Sequence, residues 1–279
     1  MSSQTYDYII VGAGSAGAVL ANRLSADPNH SVLLLEAGPE KNFWSPFPIG
    51  YAKLINNPAA NWCFSSEPEP STNGRRLSVP RGRLLGGSSA INGLVFVRGQ
   101  SNDYNTWAQM GNRGWSYDDV LPYFKRLENY DGGEDTYRGR EGPLRVTDPD
   151  EPGLLYDTIM AAAQQVGIPK NPDYNGATQE GIAMSQATIS NGRRMSTAHC
   201  YLRPVKNRSN LKISPNSHTT KLILEGKCCT GVLYFTKGKL VKANARKEII
   251  LSAGTINSPQ LLELSGIGNP EILKKLGLE

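Results

Sequence analysis

The apolar and polar positions at the start of the chain predict a strand, a helix and a second strand. Residues 6–11 form a mostly apolar run typical of a buried strand, and residues 18–26 repeat apolar positions at helical spacing. Residues 31–36 form a second apolar run that ends in the acid Glu36. The glycine-rich sequence GAGSAG separates the first strand from the helix, so the pattern indicates a βαβ unit.

Further along the chain the pattern changes from a long irregular segment to helices and then to strands. Residues 38–80 carry many Pro, Asn and Ser residues with little periodicity, which predicts a long excursion over a surface, and loops of this length usually have a function. Helical patterns follow at 102–110, at 117–129 behind the cap-like Ser116, and at 154–166, with a charged, Gly-rich segment at 131–142 that we expect to be a mobile loop. Strand patterns then dominate, at 182–190, 219–224, 230–236 and 247–251.

Composition places the chain among globular proteins and excludes several classes of function. Of its 279 residues 39% are hydrophobic and 20% are charged, which suits a folded, loop-rich protein. The net charge of +5 and the arginines between residues 75 and 83 come without an aromatic-studded module, so we expect no nucleic-acid binding. No segment looks membrane-spanning and residues 1–7 do not resemble a secretory signal, so a cytoplasmic location is the default expectation.

The cysteines and histidines do not predict a metal site. The four cysteines include no CxxC pair and have no histidine at the spacing of metal ligands, so we expect reduced thiols.

The glycines of the first turn have the spacing of a dinucleotide-binding loop. Gly12, Gly14 and Gly17 complete a GxGxxG motif, in which the first glycine permits a tight turn, the second admits a pyrophosphate and the third lets helix pack on strand. The helix that follows offers unpaired N–H groups to phosphates. Glu36 stands close to the ~20-residue interval at which a carboxylate takes ribose hydroxyls. The spacing leaves FAD and NAD open, and a solvated acid at the strand end is the alternative for Glu36.

Two later segments repeat this loop-to-helix pattern. In residues 82–99, Gly86 and Gly87 free the backbone before Ser88 and Ser89, which are helix-capping residue types, and Asn92 offers a donor and an acceptor one turn later. The segment predicts a second anion-binding turn, and a glycine turn that merely packs is the alternative. Residues 254–268 follow the strand at 247–251 with another glycine turn and a short apolar helix.

Together these three segments resemble the glucose-methanol-choline (GMC) oxidoreductases over essentially the whole chain. VGAGSAG with LEAG resembles the FAD fingerprint of that family, and the segments from Gly82 and Gly254 resemble its two signatures. The sequence as a whole is most similar to the choline dehydrogenase-like branch. The resemblance implies an α/β fold: a Rossmann-like FAD-binding domain with part of an antiparallel-sheet substrate domain, truncated. It assigns residues 1–150 to the FAD-binding domain, 151–210 to a partial substrate domain, and 211–279 to a return to the FAD-binding domain.

The resemblance also implies a role for each matched residue. It places Gly12, Gly14, Ser15 and Ala16, with Gly17 behind them, at the pyrophosphate and Glu36 at the adenosine ribose. Toward the flavin it implies contacts from a set within the first signature: Gly82, Leu84, Gly87, Asn92, Gly93, Leu94 and Val95. Thr219 matches a position whose backbone meets the adenine, although the family favours Val there. Ile91 stands where some members tether the flavin through His, which implies non-covalent FAD.

Members of this family pass a hydride from an alcohol to the flavin while a His, paired with a second His or an Asn, takes the hydroxyl proton. Both residues lie in a carboxyl-terminal region that this sequence does not contain, and family chains are about twice as long. The resemblance therefore implies an amino-terminal half without catalytic residues, inactive alone, from an enzyme for a small primary alcohol such as choline, with oxygen or quinone as electron acceptor. His30, His199 and His218 do not match the catalytic positions.

Other functions remain open from the sequence. The chain is alternatively a non-catalytic FAD-binding remnant, or one chain of a split enzyme that needs a complementing carboxyl-terminal chain. The hypothesis that the protein is a nicotinamide dehydrogenase is supported by the first motif alone. Cyanohydrin cleavage by a lyase is a further alternative, because a related activity of the family uses the same flavin fold. Ser252 stands where light-driven decarboxylases of the family have Cys, so that photochemistry is not expected. We also expect apolar surface and unpaired strand edges to be exposed.

Overall fold

A computed structural model describes residues 4–149 and 153–278 of the chain. The chain forms two compact units, one from residues 1–92 together with 196–279 and the other from residues 93–195. These limits differ from the boundaries expected from the sequence: the boundary at 150/151 lies outside the described residues, and 210/211 falls inside the first unit. The functional assignment of the three segments stays a prediction.

The described residues contain twelve strands and seven α-helices. The strands are β1 Gln4–Val11, β2 Val32–Leu35, β3 Phe64–Ser65, β4 Ser78–Val79, β5 Glu128–Asn129, β6 Leu144–Arg145, β7 Ile189–Ser190, β8 Arg193–Arg194, β9 Leu211–Ser214, β10 Ser217–Glu225, β11 Cys228–Thr236 and β12 Lys239–Leu251. The helices are α1 Ser15–Leu24, α2 Tyr51–Leu54, α3 Ser101–Gln109, α4 Tyr117–Leu127, α5 Leu154–Gln165, α6 Gly254–Leu264 and α7 Pro270–Lys275.

The first unit is built on a six-stranded mixed sheet in the order β10-β11-β12-β1-β2-β9. Strands β12, β1, β2 and β9 are parallel, and β10, β11 and β12 form an antiparallel meander at one side. Every residue of β2 is buried, which is why its sequence is a continuous apolar run. The βαβ unit predicted from the first 36 residues is confirmed by β1, α1 and β2.

One face of the sheet carries a core that joins the two ends of the chain. Ile9 and Leu33 of the central strands pack with Val232 and Tyr234 of the meander and with Leu261 of α6. Each is almost completely buried, so residues separated by more than 200 positions in sequence share one apolar cluster. Burial of large aliphatic side chains of this kind contributes about 1.5–3 kcal/mol each to folding.

A polar cluster of Asp7, Ser31 and Arg246, here called the Asp7 clasp, joins the central strands near the amino-terminal ends of β1 and β2. The Asp7 carboxylate accepts hydrogen bonds from the Ser31 N–H and hydroxyl, both at 2.8 Å, and pairs with the Arg246 guanidinium at 3.0 Å. It thereby links β1, the residue before β2, and β12. These hydrogen bonds, with the Arg246 charge, hold the pKa of Asp7 far below its usual value.

The second unit is held by a buried ionic network rather than by an extended sheet. The fully buried Glu128 forms an ion pair with Arg98 at 2.7 Å and accepts a hydrogen bond from Arg138 at 2.8 Å, and Arg138 also donates to Gln186. Arg138 lies in the segment 131–142 that we expected to be a mobile loop, and its side chain is fully buried. Arg138 of that segment therefore serves internal pairing, which composition alone does not distinguish from solvation.

One late strand prediction needed correction, and one strand of the central sheet was not predicted. Only Ile189–Ser190 of the segment 182–190 pairs as a strand, because the backbone partners change along it: Ile182 bridges Lys170, whereas Ala187 bridges Val95 and Thr147. Strand β9 was missed because its four residues carry only two apolar side chains, and its place beside β2 comes from tertiary pairing. The predicted helices and the three other late strands are observed, with β12 extending back to Lys239.

Candidate functional site

The two glycine turns singled out in the sequence are in direct contact. The Gly86 N–H donates to the Ala13 carbonyl at 2.8 Å. A Cβ atom at Gly87 would lie 2.7 Å from the Gly14 Cα, so the second turn admits no side chain at this contact. Both turns lie beyond the carboxyl ends of β1 and β2, which is where open α/β sheets bind ligands.

The three glycines of the first turn differ in what surrounds them. Gly12 has a φ of +98°, and a Cβ there would lie 2.5 Å from the Ser252 carbonyl oxygen. A Cβ at Gly17 would lie 1.9 Å from the Gly12 carbonyl oxygen. At Gly14 the nearest atom would be 3.9 Å away, so this glycine leaves space open. Gly12 and Gly17 thus serve the turn and the packing of helix on strand, while Gly14 lines the open groove.

Ser252 fastens the first turn to the end of β12. Its hydroxyl lies 2.8 Å from the Gly12 carbonyl oxygen and 3.1 Å from that of Val11, donating toward both. A hydroxyl at this position therefore has a structural partner in the glycine turn itself.

The turns open into a cleft of about 880 Å³ within the first unit. Ala253–Asn257, at the start of α6, form one of its walls. The cleft-lining residues among those predicted for cofactor binding are Gly12, Gly14, Ser15, Ala16, Glu36, Gly82, Gly87 and Thr219. This volume falls within the range of small-molecule sites.

The other predicted residues do not line this cleft. Gly17 is buried beneath the first turn, and Leu84 is buried in a small apolar cluster with Leu54 and Ile91. Asn92 ends the first segment of the first unit, and Gly93, Leu94 and Val95 begin the second unit. Their assignment to the flavin end stays a prediction.

Glu36 is a buried carboxylate with two backbone donors. The Ala13 N–H donates to Oε2 at 3.0 Å and the Gly38 N–H donates to Oε1 at 2.9 Å. Burial raises the pKa of Glu36 to about 7, an effect that these donors and the Arg83 charge oppose. The alternative of a solvated acid is wrong, because Glu36 is only 6% exposed and lines the cleft.

An aromatic group that the sequence analysis did not single out lines the cleft near Glu36. The Trp62 ring stacks on Phe64 with centroids 5.9 Å apart and meets the His218 ring edge-to-face at 5.5 Å. Burial, followed by the Arg83 charge, lowers the pKa of His218. The sequence feature that could have indicated this group is the presence of Trp62 and Phe64 in the polar segment 38–80. The contact of Trp62 with His218 of β10 depends on the fold and has no sequence signal.

Next to this group, β10 presents Thr219 to the cleft. Its hydroxyl is buried and forms no hydrogen bond with any described residue. A buried hydroxyl without a partner at a cleft wall is a position at which a ligand atom can complete the hydrogen bonding.

The three histidines of the described chain lie in different surroundings. His30 lies 3.7 Å from Asp27 and against the Tyr8 ring, His199 lies in a π-helical turn over Ala198–Leu202, and His218 lines the cleft. Within residues 4–149 and 153–278 no three His, Cys, Asp or Glu side chains are grouped as metal ligands. No helix in the same ranges is long and apolar enough to cross a membrane.

The donor set of the cleft fits a nucleotide diphosphate. Two contacting glycine turns admit phosphate oxygens to the backbone, α1 begins at Ser15 with its N–H groups at the cleft, and Glu36 retains lone pairs for hydroxyl donors. The chemistry needed to hold a diphosphate and a ribose is therefore present on the residues themselves.

Comparison with known proteins gives one consistent result. The family model described as GMC oxidoreductase matches residues 6–278. The chain is 46% identical over 277 residues to an oxygen-dependent choline dehydrogenase of Photobacterium profundum, an alignment covering 98% of this chain and 49% of that protein. It therefore spans about half the length of the curated relatives it matches.

Solved structures agree with the sequence comparison. The pyridoxine 4-oxidase from "Mesorbium loti" superposes with a TM-score of 0.93 at 34% identity, covering 98% of this chain and 54% of that one. An FAD-dependent oxidoreductase from Chaetomium thermophilum superposes with a TM-score of 0.92 at 30% identity, covering 98% and 50% respectively.

Proposed function

Since this chain belongs to the GMC oxidoreductase family, we propose that it binds FAD in the cleft between its two glycine turns and forms the cofactor-binding part of an alcohol-oxidising flavoenzyme. The observation that carries the proposal is the contact of the two turns beside a buried acid: Gly87 lies against Gly14, and Glu36 lines the same cleft. A lone glycine turn would suit any dinucleotide, whereas a second turn seated on the first encloses the diphosphate from two sides.

In this proposal each part of the cleft has one task. The N–H groups at the start of α1, from Ser15 onward, hold the pyrophosphate, and Gly14 supplies the space for it. Glu36 accepts hydrogen bonds from the adenosine ribose. The β10 end, at Thr219, lies against the adenine, where the Thr219 hydroxyl gains its missing partner.

FAD supplies the chemistry, since its flavin accepts a hydride from the CH–OH carbon of an alcohol. The substrate we propose is a small primary alcohol of the choline type, with oxygen or quinone as electron acceptor, on the basis of similarity to an oxygen-dependent choline dehydrogenase. We assign no catalytic base to the described residues, because His30 and His199 do not line the cleft and the His218 ring lies against the ring of Trp62.

We also propose that FAD is held without a covalent bond. Ile91, at the position where some members carry the tethering His, is an apolar side chain buried with Leu84 and Ala90. A hydrocarbon side chain offers no nucleophile to the flavin.

A second candidate is an FAD-binding chain that works only with a complementary polypeptide. The observation that favours it is α5, whose Leu154, Leu155 and Ile159 are 84%, 68% and 48% exposed. An apolar helix face of this kind typically marks a contact with another chain or segment.

Purification with added FAD tests both candidates. We expect a yellow protein that retains flavin on gel filtration and releases all of it on denaturation. Consumption of a small alcohol by this chain alone would contradict the second candidate, whereas bound flavin without turnover agrees with both. A protein that binds NAD and no flavin would contradict the proposed function.

A further inference from the structure

Arg83 lies behind the adenosine end of the cleft, where two segments of the first unit pair. The Arg83 N–H donates to the Ala60 carbonyl at 2.8 Å, and the Trp62 N–H donates to the Arg81 carbonyl at 2.9 Å. This pairing places the Arg83 guanidinium carbon 5.1 Å from the centroid of the Trp62 ring. The side chain is therefore fixed against a cleft-lining residue without lining the cleft itself.

The backbone of Arg83 also lies against the segment that carries Glu36. A Cβ atom at Gly38 would lie 1.9 Å from the Arg83 carbonyl oxygen. The segment that contains Arg83 is therefore in close contact with the backbone two residues after Glu36. Glu36 in turn receives only neutral hydrogen-bond donors, the N–H groups of Ala13 and Gly38. A buried carboxylate with neutral donors alone is costly to ionise, and a nearby cation lowers that cost.

Arg83 forms no ion pair with an acidic side chain within residues 4–149 and 153–278. The Arg83 Nε is buried and has no hydrogen-bond partner among the described residues. Burial raises the pKa of Glu36, and the backbone N–H groups of Gly38 and Ala13, the charge of Arg83 and the N–H group of Ala37 oppose that effect. His218 on β10 is the other titratable group at this end, and Arg83 favours its neutral form.

We propose that Arg83 is a positioning residue that favours the carboxylate form of Glu36 and holds Trp62 at the adenosine end of the cleft. This inference rests on the proposed binding of FAD and deepens it, because it names the group that sets the charge of the ribose acceptor. An ionised Glu36 accepts hydrogen bonds from both ribose hydroxyls, whereas a protonated one must use an oxygen as a donor. FAD binding by the whole chain should therefore weaken as Glu36 is protonated.

The test is the pH profile of the FAD dissociation constant, followed by quenching of flavin fluorescence from pH 5.5 to 9. For the unaltered chain we expect the dissociation constant to fall as pH rises and to level off above the Glu36 pKa of about 7. Arg83→Gln should move this transition upward by about one pH unit, which makes binding at pH 7 about fivefold weaker. The two proteins should converge at pH 9, where Glu36 is ionised in both.

Two variants separate this role from a merely structural one. Arg83→Lys should keep the transition near its original pH because it retains the positive charge. Arg75→Gln removes the same charge from an exposed site in the same segment and should leave the profile unchanged. Equal weakening by Arg83→Gln at every pH, or an unmoved transition, would overturn the inference. Absence of FAD binding by the unaltered chain would instead contradict the proposed function.

Discussion

At the scale of single residues, identical residues of one motif have different structural roles. Gly14 and Gly17 both belong to GxGxxG, yet an added Cβ would meet nothing closer than 3.9 Å at Gly14 and would lie 1.9 Å from a carbonyl oxygen at Gly17. Glu36 is likewise an ordinary strand-end acid in sequence, and its burial gives it an unusual pKa. Because that pKa is raised from 4.5 to about 7, Glu36 makes folding less favourable as pH rises through this interval in the unliganded chain.

The two glycines provide a matched pair of variants. Gly17→Ala should lower the free energy of unfolding by about 1–3 kcal/mol, because the methyl group overlaps the first turn. Gly14→Ala should leave stability unchanged or raise it by up to about 1 kcal/mol, since its φ of −73° suits alanine. It should nevertheless weaken FAD binding at least tenfold, because the methyl group occupies the groove.

Urea denaturation and FAD titration of both variants check this prediction, with Gly153→Ala as a control because Gly153 does not line the cleft, has a φ of −146° and would bring a Cβ no closer than 3.5 Å to any atom of the described residues. Unimpaired FAD binding by Gly14→Ala would contradict the assignment of the groove to the pyrophosphate.

At the scale of elements, the strands are held at one end by the cleft-forming turns and at the other by the Asp7 clasp. The clasp joins β1, the start of β2 and β12 through one carboxylate that accepts from Ser31 and Arg246. A carboxyl whose pKa is lowered on folding stabilises the native state above its unfolded pKa and loses that contribution as pH falls. For Asp7 the loss should begin near its ordinary pKa of 3.8 and continue below it.

We therefore expect Asp7→Asn to lower the melting temperature at pH 7 and to reduce the further loss of stability between pH 4 and pH 2.5. Asp118→Asn, at an exposed acid in the first turn of α4, should have a small effect under the same conditions. Thermal unfolding followed by circular dichroism measures both variants. Parallel pH curves for Asp7→Asn and the unaltered chain would show that the clasp does not contribute.

At the scale of the whole molecule, each compact unit has its own means of stabilisation and its own exposed surface. The first unit has an apolar core under a mixed sheet, whose outer strands are β10 and β9. The second has the buried network of Glu128 and Arg138 and exposes most of α5. Exposed apolar surface of this kind was expected from the sequence, and it predicts self-association of the isolated chain.

Replacing Leu155 by Lys should reduce that self-association with little change in melting temperature, because the side chain is 68% exposed. Gln165→Lys adds the same charge to the exposed carboxyl end of α5 and serves as the control. Sedimentation velocity at several protein concentrations distinguishes the outcomes. A chain that is monomeric throughout, or two variants with equal effects, would contradict a role for the α5 face.

The sequence by itself determined the βαβ unit, the two glycine turns and the family, because these depend on local spacing: apolar runs bury strands, and glycines permit turns that other residues cannot adopt. It also predicted Glu36 as a site residue from its distance along the chain to the first turn. Only the tertiary structure decided that Gly87 rests on Gly14, that Trp62 meets His218, and that Arg83 lies close enough to influence Glu36. These contacts join segments that are far apart in sequence. Their geometry, and the raised pKa of Glu36, depend on strand pairing and burial, which no local sequence pattern encodes.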